Sequence, residues 1–495
     1  MKHSLALGYM LPIAAIFSHL AGAIPLQDRW HNSTWTVGQA IETSSGRIIG
    51  HAASNATEVS EYLGIPFAQP PVGSLRFQPP VQYKGTSIIN AAAFGLACTQ
   101  ASAGIGNGGA PQGEDCLTLN IWTKPQTGER KKAILVWVYG GAYANGSSRE
   151  AGYDGQFFAD QTDVVLISIN YRINIFGFPG NPATASNLGL LDMRLALEWI
   201  RDNADAFGGD VNRITIFGQS AGAGMTDFYS YAYASDPIAS GFVLMSATVN
   251  GFPALSNSTT NPKWFSIAER AGCGSNTTDA EAISACMVSK TAEEIVAAFG
   301  SDDPGVGGGQ AFGPVADDVI VFADYSNRRS AEGGYLIGNT HNEAGLFRQF
   351  QNQSDQYWDD FNTRLYTCAD ADRIAQSIAN GFPSWRYRYF GDFPNLALST
   401  NPPSGAYHTA DLYPLFDTVP QSLMPSTPNE VAVGDYMRGA WAAFAKDVKK
   451  GLLTYADGWP LYNATEETLI RTGYDNQPGS NLALGNAYDS RCPYL

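Results

Sequence analysis

Short apolar runs rich in β-branched residues recur through the middle of the chain, with stretches of helical apolar spacing between several of them. The clearest runs cover residues 133–139, 164–170, 213–217, 241–245 and 335–338. The clearest helical stretches cover residues 188–206 and 430–449. Strands buried on both faces read as continuous apolar runs, and their alternation with helices is typical of parallel sheets. We therefore expect an α/β fold whose central, mostly parallel sheet is twisted and flanked by helices.

The third run leads directly into the pentapeptide GQSAG at residues 218–222, which is followed by helix-compatible sequence over residues 223–234. A strand, a tight turn and a helix form the setting in which the G-x-S-x-G pattern exposes its serine as a nucleophile. The glycines have a steric reason, because a Cβ at either flanking position would collide with the strand or the helix. Ser220 is thus a candidate nucleophile. The alternative is a glycine-rich turn that carries a helix-capping serine.

A serine nucleophile needs a base, and usually a carboxylate that orients the base. Beyond residue 23, the histidines are His31, His51, His341 and His408. Where a serine is presented on such a turn, the chain order is serine, acid, histidine. Only His341 and His408 follow Ser220, so we expect the base to be one of these two.

The acid is expected just after a strand, between the serine and the histidine. Glu343 lies in the loop 339–345, which follows the apolar run that ends at Gly338. If Glu343 is the acid, His341 precedes it and fails the order, which leaves His408 as the base. The alternatives are a solvated loop position for Glu343 and an exposed loop position for His408. Competing acids flank a different apolar run at residues 319–322, namely Asp317, Asp318 and Asp324.

Backbone N–H groups must hold the charge that develops on the attacked carbonyl oxygen. One should come from the residue after the nucleophile, and the others from a glycine-rich turn after an early strand. The apolar run at 133–138 is followed by Tyr-Gly-Gly-Ala-Tyr at residues 139–143. Gly141, Ala142 and Ala221 are therefore the candidate oxyanion donors. The alternative for residues 139–143 is an ordinary Gly-Gly turn.

A short basic start, a mostly apolar stretch at residues 5–17 and the small residues 21–23 predict a secretory signal peptide over residues 1–23. No later segment offers about 18 uninterrupted apolar residues, and the C-terminus carries no hydrophobic tail. We therefore expect a secreted, extracellular protein without a membrane anchor. The net charge of −16 argues against nucleic acid and anionic membranes as partners.

The 6 cysteines all follow the signal peptide, which fits an oxidising compartment, and the absence of C-x-x-C spacing disfavours zinc and redox sites. Their pairing is open from spacing alone. Candidate glycosylation sequons begin at Asn32, Asn55, Asn145, Asn257, Asn276, Asn352 and Asn463. Length alone is compatible with two or three domains, and the glycine-rich stretch 302–314 is either a linker or a surface loop.

Longer motifs surround these candidates. They are YLGIPFAQPPVG at residues 62–73 with LRF at 75–77, EDCLTLN at 114–120, NYR at 170–172, GLLD at 189–192 and FGGD at 207–210. With these motifs the chain resembles the type-B carboxylesterase/lipase family, the cholinesterase-like branch of the α/β-hydrolases, and in particular secreted fungal carboxylesterases. The resemblance spans nearly the whole chain beyond residue 23.

The resemblance implies one α/β-hydrolase domain over residues 24–495, with large insertions, that cleaves small-molecule carboxylic esters without a cofactor or metal. It implies Ser220 as nucleophile, His408 as base, Glu343 as orienting acid, and Gly141, Ala142 and Ala221 as oxyanion donors. It suggests the disulfides Cys98–Cys116, Cys273–Cys286 and Cys368–Cys492, and structural ion pairs Arg76–Glu114 and Arg172–Asp192.

Three departures from the family pattern bear on the substrate. Gln219 replaces a frequent glutamate before the nucleophile, which disfavours cationic alcohols such as choline. The loop between Cys98 and Cys116 has no tryptophan to stack on a quaternary ammonium and lacks the bulky apolar residues of a lipase lid. Ala142 replaces a glycine that is frequent in the family, and its methyl group narrows the space for the acyl group of the ester. The alternatives are a lipase that acts on lipid esters and a non-catalytic binding protein of the same fold.

Overall fold

The computed structural model describes residues 35–101, 109–300, 312–421 and 424–492. Thr36–Leu495 forms one compact unit. The predicted signal peptide, Asn32 and most of the glycine-rich stretch 302–314 lie outside the described residues.

Apolar, β-branched segments form the strands. These are β1 (Ile41–Thr43), β2 (Gly46–Ile49), β3 (His51–Ala52), β4 (Ser60–Pro66), β5 (Ile88–Asn90), β6 (Ala97–Cys98), β7 (Gln112–Gly113), β8 (Thr118–Thr123), β9 (Lys132–Val138), β10 (Val165–Ile169), β11 (Gly209–Gln219), β12 (Gly241–Met245), β13 (Gly334–Thr340), β14 (Ser384–Tyr389), β15 (Glu467–Thr472) and β16 (Ala483–Leu484). Eleven of them form one sheet in the order β16-β15-β14-β13-β12-β11-β9-β10-β8-β4-β3.

The centre of this sheet is parallel, from β15 across to β10. Its two edges are antiparallel, formed by β16 on one side and by β8, β4 and β3 on the other. The expectation of an α/β fold with a mostly parallel central sheet is confirmed. The antiparallel edges are an addition that the apolar runs did not predict.

Helices connect the parallel strands and cover the sheet. They are α1 (Gln156–Thr162), α2 (Asn174–Gly177), α3 (Leu188–Asn203), α4 (Ala221–Ala232), α5 (Asn257–Arg270), α6 (Ala280–Ser289), α7 (Ala292–Ala297), α8 (Ala344–Phe347), α9 (Asp355–Asn362), α10 (Ala369–Ala379), α11 (Leu412–Phe416) and α12 (Pro428–Lys446). The helices predicted at 188–206, 223–234 and 430–449 correspond to α3, α4 and α12. No helix in the described parts of the chain is long and apolar enough to cross a bilayer.

The core lies on both faces of the parallel strands. Every residue of β9 is buried, as the continuous apolar run predicts. The Trp137 ring packs against Phe217 of β11 at 4.9 Å and against Phe416 of α11 at 5.0 Å. These ring contacts reinforce the parallel pairing of β9 with β11, which places the carboxyl ends of the two strands side by side.

Buried ion pairs and disulfides secure the connections around this core. Arg76 makes two hydrogen bonds of 2.6 Å to Glu114, and Arg172 holds Asp192 at 2.7 and 2.8 Å. Disulfides join Cys98 to Cys116, Cys273 to Cys286 and Cys368 to Cys492. These are the pairs that the family resemblance suggested, and they involve every cysteine of the chain.

Candidate active site

Three strand ends assemble the site. β9, β11 and β13 run parallel, so their carboxyl ends meet at one edge of the sheet, where ligands of open α/β sheets bind. The glycine-rich turn follows β9, Ser220 follows β11, and Glu343 follows β13 within three residues. Segments distant in sequence therefore become neighbours through strand order alone.

The turn at Ser220 is a tight reversal between β11 and α4. Ser220 has φ 57° and ψ −128°, a conformation that costs a non-glycine residue about 1–3 kcal/mol. Its N–H donates to the carbonyl oxygen of Met245 at 2.8 Å, which fixes the turn to β12. A Cβ at Gly218 would lie 2.4 Å from the Gly222 carbonyl oxygen, and one at Gly222 would lie 2.0 Å from that of Val138. The sheet and helix therefore exclude side chains at both positions.

The glycine-rich turn lies directly against this reversal. A Cβ at Gly140 would lie 2.9 Å from Cβ of Ser220. Gly141 and Ala142 both have positive φ, at 116° and 54°, which turns the backbone away from β9. In the described structure, the backbone N–H groups of Gly141, Ala142 and Ala221 donate no hydrogen bond. They remain free to bind an anionic oxygen.

Glu343 is fully buried, and its two oxygens have different partners. Oε1 accepts a hydrogen bond from the Thr340 N–H at 2.7 Å, and Oε2 accepts one from Nδ1 of His408. The solvated-loop alternative for Glu343 and the exposed-loop alternative for His408 are both wrong, since the residues are 0% and 3% exposed. Because a carboxylate only accepts, Nδ1 of His408 is the donor in this bond, and in the corresponding neutral tautomer Nε2 is an acceptor.

The loop of His408 is joined to the loop of Glu343. The Asn342 N–H donates to the Ala406 carbonyl at 2.9 Å, and the Asn342 side-chain amide donates to the Ser404 carbonyl at 2.8 Å. A Cβ at Gly345 would lie 2.2 Å from that same Ser404 oxygen. Gly345 is therefore what allows the two loops to approach closely enough for the acid and histidine to meet.

The other nitrogen of His408 faces the nucleophile turn. Nε2 lies 3.2 Å from the side-chain nitrogen of Gln219, the residue before Ser220. The amide N–H donates to the ring. The side-chain oxygen of Ser220 forms no hydrogen bond among the described residues, and such contacts in unliganded sites often tighten only with substrate. The rings of Phe347 and Tyr366 lie 5.1 and 5.7 Å from the imidazole and help to shield it from water.

Two further buried acids, which sequence reasoning missed, lie near this pair. Asp411 comes three residues after His408, and Asp370 lies in α10; both are at most 1% exposed. The carboxyl oxygens of Asp370 have no hydrogen-bond partner in the described structure, and those of Asp411 have at most a weak one from its own backbone N–H. Burial, reinforced by the charge of Glu343, raises the pKa of Asp411 to about 7, and burial raises that of Asp370 well above its ordinary value. The i, i+3 spacing of Asp411 from His408 was the available signal.

The competing candidates lie elsewhere. Asp317 is exposed and accepts the N–H groups of residues 319–321 at 2.9 Å, so it organises its own turn. Asp318 and Asp324 are also exposed. The His341 ring stacks on Phe390 at 4.4 Å and has no hydrogen bond to Glu343 in the described structure.

The sequons differ in exposure. Asn55, Asn257, Asn276, Asn352 and Asn463 are exposed. Asn145 is only 5% exposed, and its carbonyl packs against Gly141 in the glycine-rich turn. Burial of its side chain makes Asn145 the least accessible of the described sequons.

The sequence of this chain is similar to those of known proteins. The carboxylesterase family model matches residues 38–380. The chain belongs to the carboxylesterase family. The family resemblance drawn from the motifs is thereby confirmed, and with it the α/β-hydrolase fold and the activity of a carboxylic-ester hydrolase.

Relatives within the family carry different names. Chlorogenic acid esterase of Aspergillus niger is 31% identical over 457 residues, 87% of either chain. Secreted lipase 5 of Gibberella zeae is 30% identical over 498 residues, 89% of this chain and 91% of that protein. The cholinesterase of Mus musculus is 36% identical over 271 residues, 52% of this chain and 44% of that protein. The family thus spans several ester classes, and the site must decide among them.

Proposed function

We propose that this carboxylic-ester hydrolase is an extracellular serine esterase with Ser220, His408 and Glu343 as its catalytic triad. The observation that carries the proposal is the position of His408. Its Nδ1 is bonded to a fully buried carboxylate, while Nε2 faces the turn that presents Ser220. A neutral imidazole oriented in this way can accept a proton at Nε2.

Acylation follows from this geometry. Nε2 of His408 takes the proton of the Ser220 hydroxyl as Oγ attacks the ester carbonyl, and Glu343 stabilises the imidazolium that forms. The amide N–H of Gln219 must then leave Nε2, because a protonated Nε2 no longer accepts. Rotation of the Gln219 amide would offer its oxygen to the imidazolium instead.

The oxyanion accepts hydrogen bonds from the N–H groups of Gly141, Ala142 and Ala221, which are unpaired in the described structure. Loss of one such donor typically lowers kcat by a factor of about 10²–10³. The imidazolium then protonates the leaving alcohol oxygen. Water, deprotonated by the same histidine, attacks the acyl-enzyme. The imidazolium then returns the proton to Oγ of Ser220 as the bond to the acyl group breaks, which releases the carboxylic acid and regenerates the neutral histidine.

The substrate we propose is a small ester without a quaternary ammonium group. Gln219 is 2% exposed at the floor of the site and carries no charge, so it offers no electrostatic attraction to a cationic alcohol. The chlorogenic acid esterase relative, which covers most of the chain, is consistent with an ester of this kind.

A lipase is the second candidate, since a secreted lipase is similar over 89% of the chain. Comparing emulsified triglyceride with soluble short-chain esters separates the two. A soluble esterase shows no jump in rate when the substrate passes its solubility limit. A steep increase at that limit would favour the lipase.

The decisive experiment replaces the nucleophile. Ser220→Ala should lower p-nitrophenyl ester turnover by at least about 10⁴-fold, since residual rates in triad variants come from the oxyanion hole and binding alone. The variant should keep the wild-type circular dichroism spectrum and lose labelling by a fluorophosphonate probe. Near-wild-type turnover would refute the assignment, and an unlabelled wild type would favour a non-catalytic binding protein.

The extracellular assignment includes the processing of the chain. We propose cleavage after residue 23, one catalytic domain over residues 24–495 and N-glycosylation at exposed sequons. The secreted relative supports this, as do the three disulfides. Mass spectrometry of the secreted protein before and after deglycosylation tests the cleavage site and the glycosylation.

A further inference from the structure

A second cavity of about 520 Å³ opens at the same edge of the sheet, beyond the ends of β13 and β14. Its volume lies within the range of about 300–1,000 Å³ that is typical of small-molecule sites. His341 and Asn342, the two residues before Glu343, form part of its wall. Neither Ser220 nor His408 is among its described lining residues, so the cavity is separate from the proposed catalytic site.

Arg388, in the cavity wall, is a buried cation with few partners. Arg388 is only 7% exposed. Its guanidinium donates to the Thr367 hydroxyl and the His341 carbonyl, each at 3.2 Å. Its Nε has no hydrogen-bond partner, and it forms no ion pair among the described residues. Arg386, two residues earlier, instead holds Asp489 through two bonds of 2.6 and 2.8 Å. The two arginines share a strand, yet only one is neutralised by direct contact.

The electrostatic surroundings reinforce this difference. Burial, and then the neighbouring Arg386, lower the pKa of Arg388 to about 10, although Tyr488, Glu343 and Asp370 act in the opposite direction. An arginine at this value is still charged at neutral pH. The site therefore contains a buried positive charge that would be stabilised by an anionic oxygen.

The other charged groups in the described lining of the cavity are not available to bind an anion, which makes Arg388 the candidate. Arg491 is already paired with Asp359 and Asp360. His341 is exposed by surface area, but neighbouring groups partly desolvate its ring, and this desolvation and the charge of Arg388 lower its pKa to about 4. His341 is accordingly neutral at physiological pH. The remaining acid in the lining, Asp392, is exposed at the rim.

Aromatic surface lies beside the cation. Phe390 and Tyr488 both line the cavity, are only partly buried, and lie 5.6 Å apart. The guanidinium of Arg388 lies 4.6 Å from the Tyr488 ring centre. One face of the Phe390 ring is covered by His341 at 4.4 Å, and flat aromatic groups pack well on the surface that remains. A ligand that joins a carboxylate to an aromatic ring matches both features.

We propose that this cavity is a second ligand site, which binds a small aromatic carboxylate with its anionic end on Arg388 and its ring against Phe390 and Tyr488. Ester hydrolysis releases a carboxylate, so acids of this class are present wherever the enzyme acts on aromatic esters. The site requires no contact with Ser220.

The first test uses benzoate on enzyme whose proposed nucleophile has been blocked by a fluorophosphonate, with the adduct verified by mass spectrometry. Benzamide, which is neutral and nearly isosteric, is the control ligand. We expect saturable calorimetric binding of one benzoate with a Kd of about 1 mM or tighter, and binding of benzamide at least tenfold weaker. Absence of benzoate binding, or equal binding of benzamide, overturns the proposal. Failure to form the adduct would instead count against the proposed function.

Variants then test the position of the site. Arg388→Met should weaken benzoate binding by about tenfold or more, since one lost charge-assisted hydrogen bond alone accounts for that factor. Arg388→Lys keeps the buried charge but loses the planar fork, so it should fold if the methionine variant does not and should weaken binding by an intermediate factor. Arg364→Met removes a positive charge from an exposed neighbouring position and should leave binding unchanged. Unaltered binding in folded Arg388 variants refutes the site.

Discussion

The two sides of the proposed active site, namely the turn of Ser220 and the pair of His408 and Glu343, are built in different ways. Around Ser220 everything is backbone, namely a left-handed φ, two glycines that admit no Cβ, and a hydrogen bond to β12. Around His408 the positioning contacts come largely from side chains, with a fully buried Glu343 that also accepts the Thr340 N–H, and with two further buried acids nearby. The first half is contiguous in sequence, while the second brings together residues 65 positions apart.

The difference indicates where each half is vulnerable. A steric turn fails when atoms are added, because neighbouring backbone cannot move away. A buried cluster of carboxyl groups fails when charge or protonation changes, because burial penalises every uncompensated charge. Mutations of the two halves should therefore differ in kind, with folding lost on one side and activity or pH response altered on the other.

Gly222→Ala should produce the largest effect. Its Cβ would lie 2.0 Å from the Val138 carbonyl oxygen, which belongs to the central strand of the sheet. We expect a loss of more than about 4 kcal/mol, the range reserved for severe core disruption, and hence little folded protein. Gly113→Ala is the control, since its Cβ would meet only the flexible end of Leu96 at 3.0 Å. Expression yield and thermal unfolding measure both, and wild-type stability of Gly222→Ala would contradict the steric account.

Glu343→Gln should abolish activity while keeping the fold. The amide oxygen can still accept the Thr340 N–H, but the amide nitrogen would face Nδ1 of His408 and favour the wrong tautomer. An expected fall in kcat of about 10³–10⁴ follows from the cost of the analogous change in other triads. Asp317→Asn is the matched control, because that acid accepts hydrogen bonds from its own turn and from the Asn187 amide but none from His408 in the described structure, so the variant should leave kcat unchanged. Steady-state kinetics of both, with circular dichroism, decide between them.

Asp411→Asn should alter how stability depends on pH. The folded pKa of about 7 lies above the ordinary value of an aspartate. Between the two values only the folded state holds the proton, so this group's contribution is complete below about pH 4 and is lost as the pH rises through 7. The variant should match the wild type near pH 4 and exceed its free energy of unfolding by the order of a few kcal/mol at pH 8.

Urea unfolding at both pH values measures the effect of Asp411→Asn. The exposed Asp318→Asn variant should follow the wild-type profile at each pH. If Asp411→Asn changes the free energy of unfolding by the same amount at pH 4 and pH 8, the pKa of Asp411 does not differ between the folded and unfolded states.

The two halves also differ in how much of each could be predicted from the sequence. The strands, the helix after Ser220 and the steric need for Gly218 and Gly222 are local properties, so apolar runs and one pentapeptide were sufficient. Chain order and a shortage of histidines pointed to His408 and Glu343, but their burial depends on loops joined through Asn342 and Gly345. The uncompensated acids could not be predicted, because a single aspartate looks the same whether a donor lies beside it or not.

The smallest effect tests the boundary between the two halves, at the alanine of the glycine-rich turn. Ala142 holds φ 54°, so glycine there relieves strain of about 1 kcal/mol but adds entropy to the unfolded chain, and stability should change by less than about 1 kcal/mol. Removal of the methyl group should widen the acyl side and raise kcat/KM for a branched acyl ester relative to acetate by about two- to tenfold. Ala456→Gly is the matched control, because Ala456 has φ 49° on an exposed turn. It should change neither the ratio of kcat/KM for the two esters nor the fold. An unchanged acyl preference in Ala142→Gly would mean that its methyl group does not border the acyl pocket, and that the turn contributes only its N–H groups.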